Sequence, residues 1–372
     1  MLARMPIHAI RSVGALQRGA TVAGASMMQW WRRRAAWQRL ALIIGLIGLA
    51  ALAALSPWRD LPYHWMEASL GRRPLLAAHS WHYQLTDARI DQLVQSEADL
   101  LVIDYATEKG RLPLGAEEIA RLKRKPNGAP RLVVAYMSIG EAEIWRWYWR
   151  PEWKDEAERP SWAAAENCAW PGAYMVRFWH DGWRDIIYRG QRPYLKRIID
   201  GGFDGVYLDR VDIWEQLVKE RPTARADMIA FVKALAATAR QWKPGFIVMP
   251  QNADHLLSDR GYRNAIDGLG KEDLLFGTAG SDVRSAEKEI AWSKRQLTLL
   301  LRDYKPVFAV EYPAKPENIA AAKAELGALG VVATVQHRSL NGADFVTENK
   351  RKADIEGTPE WIAEKCKDKR WW

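Results

Sequence analysis

Residues 203–215 read FDGVYLDRVDIWE. The run GVYL is typical of a buried strand, and it stops on Asp209. A buried carboxylate is costly unless it is paired or hydrogen-bonded, so its presence at a strand end needs a reason. In a parallel barrel, the loops that follow the strands form one mouth where catalytic groups gather. We therefore interpret Asp209 as a candidate functional acid at such a mouth.

The second aspartate of this stretch, Asp212, has a simpler interpretation. The segment DIWE (212–215) places Asp212 three residues before Glu215, which is the spacing of a capping box. We expect Asp212 to cap a short helix, and a place in the binding site is the alternative.

Eight β-rich runs alternate with helix-like segments from residue 75 onward. The helix-like segments include 224–242 and 319–329, whose apolar residues have helical spacing. Eight such alternations predict an α/β fold, a (β/α)8 TIM barrel over residues 75–345, with an open doubly wound sheet as the alternative. The runs lie at 75–85, 99–106, 131–141, 203–209, 246–252, 265–276, 307–313 and 330–340.

Polar residues cluster at the carboxyl ends of these runs. Because those ends surround a single mouth in a barrel, we expect the side chains to meet in one acidic site that also holds amide hydrogen-bonding groups. The candidates are Asp104, Tyr105, Glu141, Asp209, Asp212, Gln251, Asn252, Glu272, Asp273, Glu311 and Tyr312.

The net charge of +9 belongs to the N-terminus. Residues 1–59 hold eight arginines and no acid, whereas the remainder carries 46 basic against 45 acidic residues. A nearly neutral body does not favour a broad phosphate-binding surface, so we expect no nucleic-acid partner.

The N-terminus itself resembles a targeting segment. A basic stretch, WWRRRAAWQR (30–39), precedes 16 residues without charge, LALIIGLIGLAALAAL (40–55). This order predicts a signal peptide over residues 1–55, followed by a linker (56–74) and an exported body. An uncleaved membrane tether through residues 40–55 is the alternative. It is the second choice because the run is shorter than the ~20 residues that span a bilayer. Met27 or Met28 is an alternative start.

Cysteine and glycine motifs exclude several classes of enzyme. The two cysteines, Cys168 and Cys366, either pair after export or stay as buried thiols. The sequence has no CxxC, HExxH, Walker A or GxSxG motif. We therefore expect no metal and no cofactor. We also expect a monomer with a C-terminal tail over residues 346–372.

The gap between the third and fourth runs is rich in tryptophan. Residues 145–183 hold eight of the twenty tryptophans in the chain. Most are expected to fill a core between an inserted helix and the barrel wall. Trp145, Trp147 and Trp149 alternate, so they cannot all lie on one helical face. We expect at least one of these three or Trp153 to be partly exposed at the mouth, where an indole can pack on a sugar. Trp149 is the candidate for substrate binding.

With these motifs in place, the chain resembles glycoside hydrolase family 114, the endo-α-1,4-polygalactosaminidase-like TIM barrels. The similar segments follow the family's order over residues 75–340, and SIGEAE and GVYLDRVD are the most specific of them. The segments are LLVIDYA (100–106), AYMSIGEAEIWRWYW (135–149), ENCAWPGAYMVRFW (166–179), GFDGVYLDRVD (202–212), MPQNAD (249–254), IDGLGKEDLLF (266–276) and VEYP (310–313).

The resemblance implies an exported glycosidase that cleaves α-1,4-linked polysaccharides of galactosamine or N-acetylgalactosamine. It implies that Asp209 and Glu272 are the catalytic pair. It also favours internal cleavage with retention, in which Asp209 attacks and Glu272 serves as acid and then base. A non-catalytic carbohydrate-binding barrel of a polysaccharide export or attachment system is the competing hypothesis, as is a glycosidase of other specificity.

Overall fold

The computed structural model of the chain describes residues 74–107, 112–342 and 359–367. The expected signal or anchor segment (1–55), nearly all of the linker (56–74) and most of the tail (346–372) lie outside the described residues. Among the helices that are described, none is both long and apolar enough to cross a membrane.

Two parallel sheets form the centre of the molecule. The first has five strands in the order β1-β2-β3-β4-β5, and the second has three in the order β6-β7-β8. Every strand falls inside one of the eight runs expected from the sequence. The strands are β1 (Trp81–Gln84), β2 (Leu100–Asp104), β3 (Leu132–Ser138), β4 (Gly205–Asp209), β5 (Ile247–Pro250), β6 (Leu269–Glu272), β7 (Val307–Glu311) and β8 (Val332–Val335).

The register aligns the carboxyl ends of neighbouring strands. Asp104 pairs with Tyr136, and Ser138 pairs with Asp209. A parallel bridge between Gln251 and Gly270 connects the two sheets just beyond β5. The polar ends of β2 to β6 therefore lie along one edge, as the sequence pattern predicts.

The helices follow the strands, as expected for an α/β fold. The helix over residues 224–242 has the predicted bounds, and the one expected at 319–329 covers 316–328. The helices are α1 (Ile90–Leu93), α2 (Ala116–Leu122), α3 (Asp181–Arg184), α4 (Tyr194–Asp200), α5 (Trp214–Leu217), α6 (Ala224–Trp242), α7 (Arg260–Ala265), α8 (Glu287–Arg302), α9 (Pro316–Ala328) and α10 (Pro359–Cys366).

Both faces of the strands are buried, in two separate apolar clusters. Alternate residues such as Leu101 and Val133 pack with the helices, among them α6, α8 and α9. The residues between them form a second cluster to which helices α1–α10 contribute no described residue. Helices therefore cover one face of the strands, and the other face is buried chiefly by the side chains of the strands themselves. The second cluster contains Trp81, Tyr83, Leu100, Val102, Val134, Tyr136, Tyr207, Ile247, Met249, Phe308 and Val310.

The edges of β1 and β8 approach each other through side-chain and loop contacts. Gln336, which follows β8, uses its amide to accept a hydrogen bond from the backbone N–H of Tyr83 and to donate one to the Tyr83 carbonyl, both at 2.9 Å. The backbone N–H of Leu85 donates to the carbonyl of Leu340 at 2.9 Å. An amide side chain here makes the bonds that a strand backbone makes elsewhere.

The tryptophan-rich insertion contains a small sheet as well as the short helix α3, on which Trp183 lies. Residues 141–143, 173–176 and 163–166 form three antiparallel strands, and Trp145–Trp149 lie in turns between them. Aromatic side chains can alternate along turns without sharing a helical face. The expectation that most of the indoles fill a core fits, since Trp162 and Trp183 are buried and pack at 5.0 Å.

The two cysteines form a disulfide, which resolves the alternatives that the sequence left open. Cys168 of the insertion is bonded to Cys366 of α10. Trp170 and Trp361 pack beside it with ring centroids 5.6 Å apart. The last described helix is thus fastened to the tryptophan-rich insertion.

The interpretation of Asp212 as a helix cap is wrong. Helix α5 begins at Trp214 with Ile213 at its N-cap position, and no side chain caps it. Asp212 lies within a 3-10 turn, Val211–Ile213, because Arg210 takes a left-handed conformation (φ 57°) and turns the chain directly after β4. The Asp212 carboxylate faces the Arg210 guanidinium at 3.6 Å instead.

A glycine in β6 makes room for a tyrosine of β4. A Cβ atom on Gly270 would overlap the hydroxyl of Tyr207, a fully buried ring. The two strands lie in different sheets, so this contact helps to fix how the sheets meet.

Replacing Gly270 by alanine is expected to destabilise the protein by about 1–3 kcal/mol, because the added methyl group must displace a buried ring. Gly327 is a matched control, since it lies in helix α9 with nothing within 4 Å of an added Cβ. There the same change should stabilise by about 0.5–1 kcal/mol. Urea unfolding of the two variants tests this, and equal effects would contradict it.

Candidate active site

Two carboxyl groups end strands of different sheets and keep access to solvent. Asp209 is the last residue of β4, and Glu272 is the last residue of β6. Both are partly exposed, whereas Asp104, Glu141 and Glu311 at the same edge are buried. The negative charge of Asp209 helps to raise the pKa of Glu272, so the two groups interact electrostatically.

A tyrosine holds the first carboxylate. The hydroxyl of Tyr136 in β3 donates to Oδ2 of Asp209 at 2.6 Å. Removal of water by the surrounding protein raises the pKa of Asp209 to about 6, against the opposing effects of the Tyr136 hydrogen bond and the Arg210 charge. Asp212 adds to the rise through its negative charge. Asp209 therefore titrates close to neutral pH.

The second carboxylate has its own tyrosine and an amide. The hydroxyl of Tyr312 donates to Oε1 of Glu272 at 2.5 Å, and the side-chain N–H of Gln251 donates to Oε2. Loss of water and the neighbouring Asp273 charge raise the pKa of Glu272 to about 7. These contacts bring together three residues that the sequence selected for the site.

A chain of hydrogen bonds connects Glu272 to the buried cluster beneath the site. Gln251 accepts a hydrogen bond from the Tyr83 hydroxyl at 3.1 Å through its carbonyl oxygen while its N–H faces Glu272. The rings of Tyr83 and Tyr207 lie 5.2 Å apart. Both side-chain groups of Gln251 have a partner inside the protein, and its expected role in binding sugar stays a prediction.

The loop after β6 is fixed by an amide and an arginine. Asn252 accepts a hydrogen bond from the backbone N–H of Glu272 at 3.1 Å through its side-chain oxygen. Asp273 receives two hydrogen bonds from the Arg338 guanidinium, at 2.7 and 2.9 Å. Both expected residues therefore adjoin Glu272, and their present contacts orient the loop that carries it.

A buried ion-paired group lies at the end of β2. The Arg146 guanidinium donates to Asp104 at 2.8 Å and to Glu143 at 2.5 Å, and its side chain is only 1% exposed. Tyr105 lies beneath this arginine, whose Cζ atom is 5.6 Å from the ring centroid. Burial raises the pKa of Glu143 to about 7 even beside Arg146. Asp104 and Tyr105 therefore belong to a packed group next to the mouth.

A second ion pair connects the insertion to the loop after β4. Glu141 accepts hydrogen bonds from Arg210 and from the Asn167 side chain, each at 2.9 Å. Gly140 precedes it, and a Cβ there would overlap the carbonyl oxygen of Arg210. This close approach explains why the SIGE segment contacts the residue that follows Asp209.

Glu311 lies at the end of β7 but does not face the mouth. It is fully buried, and its carboxylate accepts hydrogen bonds from the backbone N–H groups of Leu275 and Phe276. The expectation that it holds sugar hydroxyls does not fit this position. It instead holds the segment after Glu272, and burial raises its pKa to about 8.

The indoles expected at the mouth pack within the insertion. Trp149 stacks on Tyr174 at 4.7 Å and meets Trp153 edge-on at 5.6 Å, so one of its faces is covered. Trp147 is 40% exposed, and the Arg197 guanidinium lies 3.8 Å from its ring centroid, so the exposure of an indole at the mouth stays a prediction. None of these contacts connects either indole with Asp209 or Glu272, so a sugar-binding role for Trp149 stays a prediction.

Left-handed backbone conformations follow the ends of three strands. Arg210, Asn252, Ala253 and Asp273 have φ between 52° and 57°. Side chains other than glycine rarely adopt this conformation, and it often marks functional sites. Here it follows Asp209 and Glu272 directly.

Sequence reasoning missed the partners of the two acids. Tyr136 lies two residues before the end of β3, on the same face of the strand as Ser138, and this period of two was the available signal. Arg210 directly follows Asp209 and was equally visible. Other side chains around the site were not singled out either, and they contact the neighbouring candidates Asp104, Glu141, Gln251 and Asp273 or pack beside them: Tyr83, Glu143, Arg146, Asn167, Tyr207 and Arg338.

This arrangement can perform acid–base and nucleophilic chemistry at a glycosidic bond. Two carboxyl groups with pKa values near 6 and 7 are partly open to solvent, while the surrounding acids are paired or buried. Glycoside hydrolysis needs two such groups with different protonation states. Within the described ranges, no three or more His, Cys, Asp or Glu side chains gather as a potential metal site.

Comparison with known sequences decides the family. Residues 67–352 match the sequence profile of Glycoside-hydrolase family GH114. The chain belongs to this family. It is a glycoside hydrolase, and the resemblance inferred from its motifs is confirmed.

Two other proteins are similar in sequence to this GH114 chain. A protein of Deinococcus radiodurans is 34% identical over 275 residues, which cover 73% of this chain and 84% of that protein. A protein of Methanocaldococcus jannaschii is 38% identical over 206 residues, covering 53% of this chain and 56% of the relative.

Solved structures share the fold of this GH114 chain. The glycoside hydrolase domain of PelA from Pseudomonas aeruginosa has a TM-score of 0.53 at 18% identity, covering 71% of this chain and 97% of that one. Ega3 from Aspergillus fumigatus, in complex with galactosamine, has a TM-score of 0.51 at 21% identity, covering 74% and 94%.

Replacing Arg146 by methionine is expected to lower the free energy of unfolding by about 3–5 kcal/mol at neutral pH, because two buried carboxylates lose their cation. The loss should grow as pH rises from about 5 to 8, since the unpaired carboxyl groups of the folded state then bind protons that the unfolded state has released. Urea unfolding at several pH values measures it.

The control is Arg121→Met, which breaks an exposed pair with Asp91. An exposed pair contributes about 0–1 kcal/mol. Equal losses for the two variants, or a loss for Arg146→Met that does not depend on pH, would contradict the expectation.

Proposed function

We propose that the chain is an exported hydrolase of α-1,4-linked polysaccharides that contain galactosamine or N-acetylgalactosamine. It cleaves them internally and with retention of configuration. The observation that carries the proposal is the pair Asp209 and Glu272, two accessible carboxyl groups with raised pKa at the ends of β4 and β6. The galactosamine complex of the structural neighbour Ega3 supports an amino-sugar substrate.

In this proposal Asp209 attacks the anomeric carbon and Glu272 protonates the leaving oxygen. The Tyr136 hydroxyl and the positive charge of Arg210 favour the ionised form of Asp209, as a nucleophile requires. The neighbouring negative charge of Asp273 favours the protonated form of Glu272, as an acid requires. After the leaving group departs, Glu272 takes a proton from a water molecule. The water oxygen attacks the anomeric carbon, and the bond between the sugar and Asp209 breaks.

The excess of carboxylates at the mouth suits a cationic polymer. Amino sugars without their acetyl groups carry an ammonium group, which an acidic cleft attracts and binds by charge-assisted hydrogen bonds. Asp212 is 38% exposed in its side chain and lies beside Asp209 along the chain, so it is available for such a contact.

The proposed architecture is a closed eight-stranded barrel over residues 75–345 that acts as a monomer. The Gln336 amide on Tyr83 and the Gln251–Gly270 bridge support closure at both places where the two sheets meet. Export is supported by the basic and apolar order of residues 30–55 and by the disulfide, since disulfides persist in oxidising compartments. Residues 40–55 would serve as the tether if they are not removed.

Replacing Asp209 by asparagine is expected to lower kcat on an α-1,4-galactosamine polymer by at least about 1,000-fold, because the nucleophilic charge is lost. Replacing Glu272 by glutamine should lower it by about 100–10,000-fold, the usual contribution of a general acid. Release of reducing ends, measured with circular dichroism as a check of folding, tests both.

Asp200→Asn is the control, since this acid pairs with Lys196 at the surface of α4. Undiminished turnover by Asp209→Asn would reject the catalytic pair. A wild-type protein that binds the polymer without cleaving it would favour the non-catalytic barrel.

The pH profile of kcat/KM is expected to be bell-shaped, with limbs near pH 6 and pH 7. Below the pKa of Asp209, about 6, the nucleophile becomes protonated, and above the pKa of Glu272, about 7, the acid loses its proton. Tyr136→Phe removes a hydrogen bond that lowers the pKa of Asp209, so the acidic limb should move to higher pH.

Tyr304→Phe is the matched control, because Tyr304 is 82% exposed. It should leave both limbs in place. An acidic limb that Tyr136→Phe does not move, or that moves to lower pH, would contradict the assignment of this limb to Asp209.

A further inference from the structure

A cluster of aromatic and acidic side chains lies on the loops beyond Asp209. The ring of His255 packs on Trp292 with centroids 4.1 Å apart, and Trp214 meets it edge-on at 6.2 Å. Nδ1 of His255 lies 2.9 Å from a carboxylate oxygen of Glu215. We call this group the rim cluster; its members are Asp212, Trp214, Glu215, His255 and Trp292.

The rim cluster lies on the same side of the fold as the catalytic pair. Its residues come from the segment after β4, from the 3-10 turn Asp254–Ser258 after β5, and from α8, the helix that follows β6. Segments that follow parallel strands start at the mouth. Asp212 is three residues from both Asp209 and Glu215 along the chain, and its negative charge raises the pKa of both groups.

The cluster is accessible, and its backbone is braced. The side chains of His255 and Glu215 are 51% and 42% exposed, and the two indoles are half-buried. The Arg225 guanidinium donates to the His255 carbonyl at 3.1 Å and to the Ser258 hydroxyl at 2.8 Å. The 3-10 turn that presents the imidazole is therefore held against α6.

The contacts within the rim cluster add too little to the free energy of folding to explain why these side chains lie together. Even with a protonated imidazole, an exposed pair such as His255–Glu215 contributes about 0–1 kcal/mol. Exposed aromatic faces next to carboxylates are, however, what a cationic sugar needs. The apolar C–H face of a hexose packs on an aromatic ring, and an ammonium group pairs with a carboxylate.

We propose that the rim cluster is a second sugar-binding site, which takes a de-N-acetylated hexosamine residue of the same polymer at a distance from the cleaved bond. The sugar ring packs on the rings of His255 and Trp292, and its ammonium group pairs with Glu215 and Asp212. This inference rests on the proposed function and adds a specificity for long, cationic substrates to it.

The test compares substrates of different length and acetylation. Trp292→Ala and Glu215→Gln are assayed on the shortest galactosamine oligomer that is cleaved, on a long oligomer and on its N-acetylated counterpart. Trp292→Ala should lower the ratio of kcat/KM for the long over the short oligomer by about tenfold, which corresponds to about 1.4 kcal/mol of lost binding. Glu215→Gln should lower the preference for the de-N-acetylated long oligomer over the acetylated one.

Two matched controls exclude general effects of the substitutions. Trp242 is 38% exposed. It is the last residue of α6 and so lies at the opposite end of that helix from Ala224, where α6 begins. Asp200 ends α4 and forms a surface ion pair with Lys196, as Glu215 does with His255. Trp242→Ala and Asp200→Asn should change neither ratio.

A binding measurement separates this inference from the proposed function. In an Asp209→Asn background, calorimetry with the long galactosamine oligomer should show weaker binding when Trp292 is also replaced by alanine. If the wild-type protein cleaves the oligomers but both ratios and the affinity are unchanged by the rim variants, the rim site alone is rejected. If the wild-type protein cleaves no amino-sugar oligomer, the proposed function is rejected and the rim site with it.

Discussion

A carboxylate that loses its water must be paired with a cation, hydrogen-bonded or protonated, and this constraint organises the mouth of the protein. Arg146 pairs with Asp104 and Glu143, and Arg210 pairs with Glu141. These acids are buried and committed to internal contacts. The ion pairs thereby fix the end of β2 and the insertion around the site.

Asp209 and Glu272 meet the same constraint differently. Their side-chain donors are neutral, the hydroxyls of Tyr136 and Tyr312 and the amide of Gln251. A neutral donor orients a carboxylate without cancelling its charge, so loss of water still raises the pKa of each group toward neutrality. Asp209 and Glu272 combine neutral side-chain donors with partial exposure to solvent, whereas Glu143 and Glu311, whose pKa values are also raised, are buried.

Much of the fold could be predicted from the sequence, because strand runs and helical spacing are local signals. The bounds of α6 and the positions of all eight strands follow from them. The cap assigned to Asp212 failed because the chain takes a left-handed turn at Arg210, whose carbonyl packs against Gly140, a residue distant in sequence. The carboxylates at strand ends were recognisable for the same local reason, whereas Arg146 and Tyr83 reach the site from other segments and carry no local mark.

The acid of β6 is also connected to the place where β1 and β8 approach each other. Gln336 holds the backbone of Tyr83 by two hydrogen bonds, the Tyr83 hydroxyl donates to Gln251, and Gln251 donates to Glu272. Each bond in this series fixes the donor or acceptor that the next one uses. The orientation of the Gln251 amide decides whether it donates to Glu272 or accepts from it, and Tyr83 sets that orientation. The donor that Gln251 presents to Glu272 is therefore connected, through Tyr83, to the place where the edges of β1 and β8 approach each other.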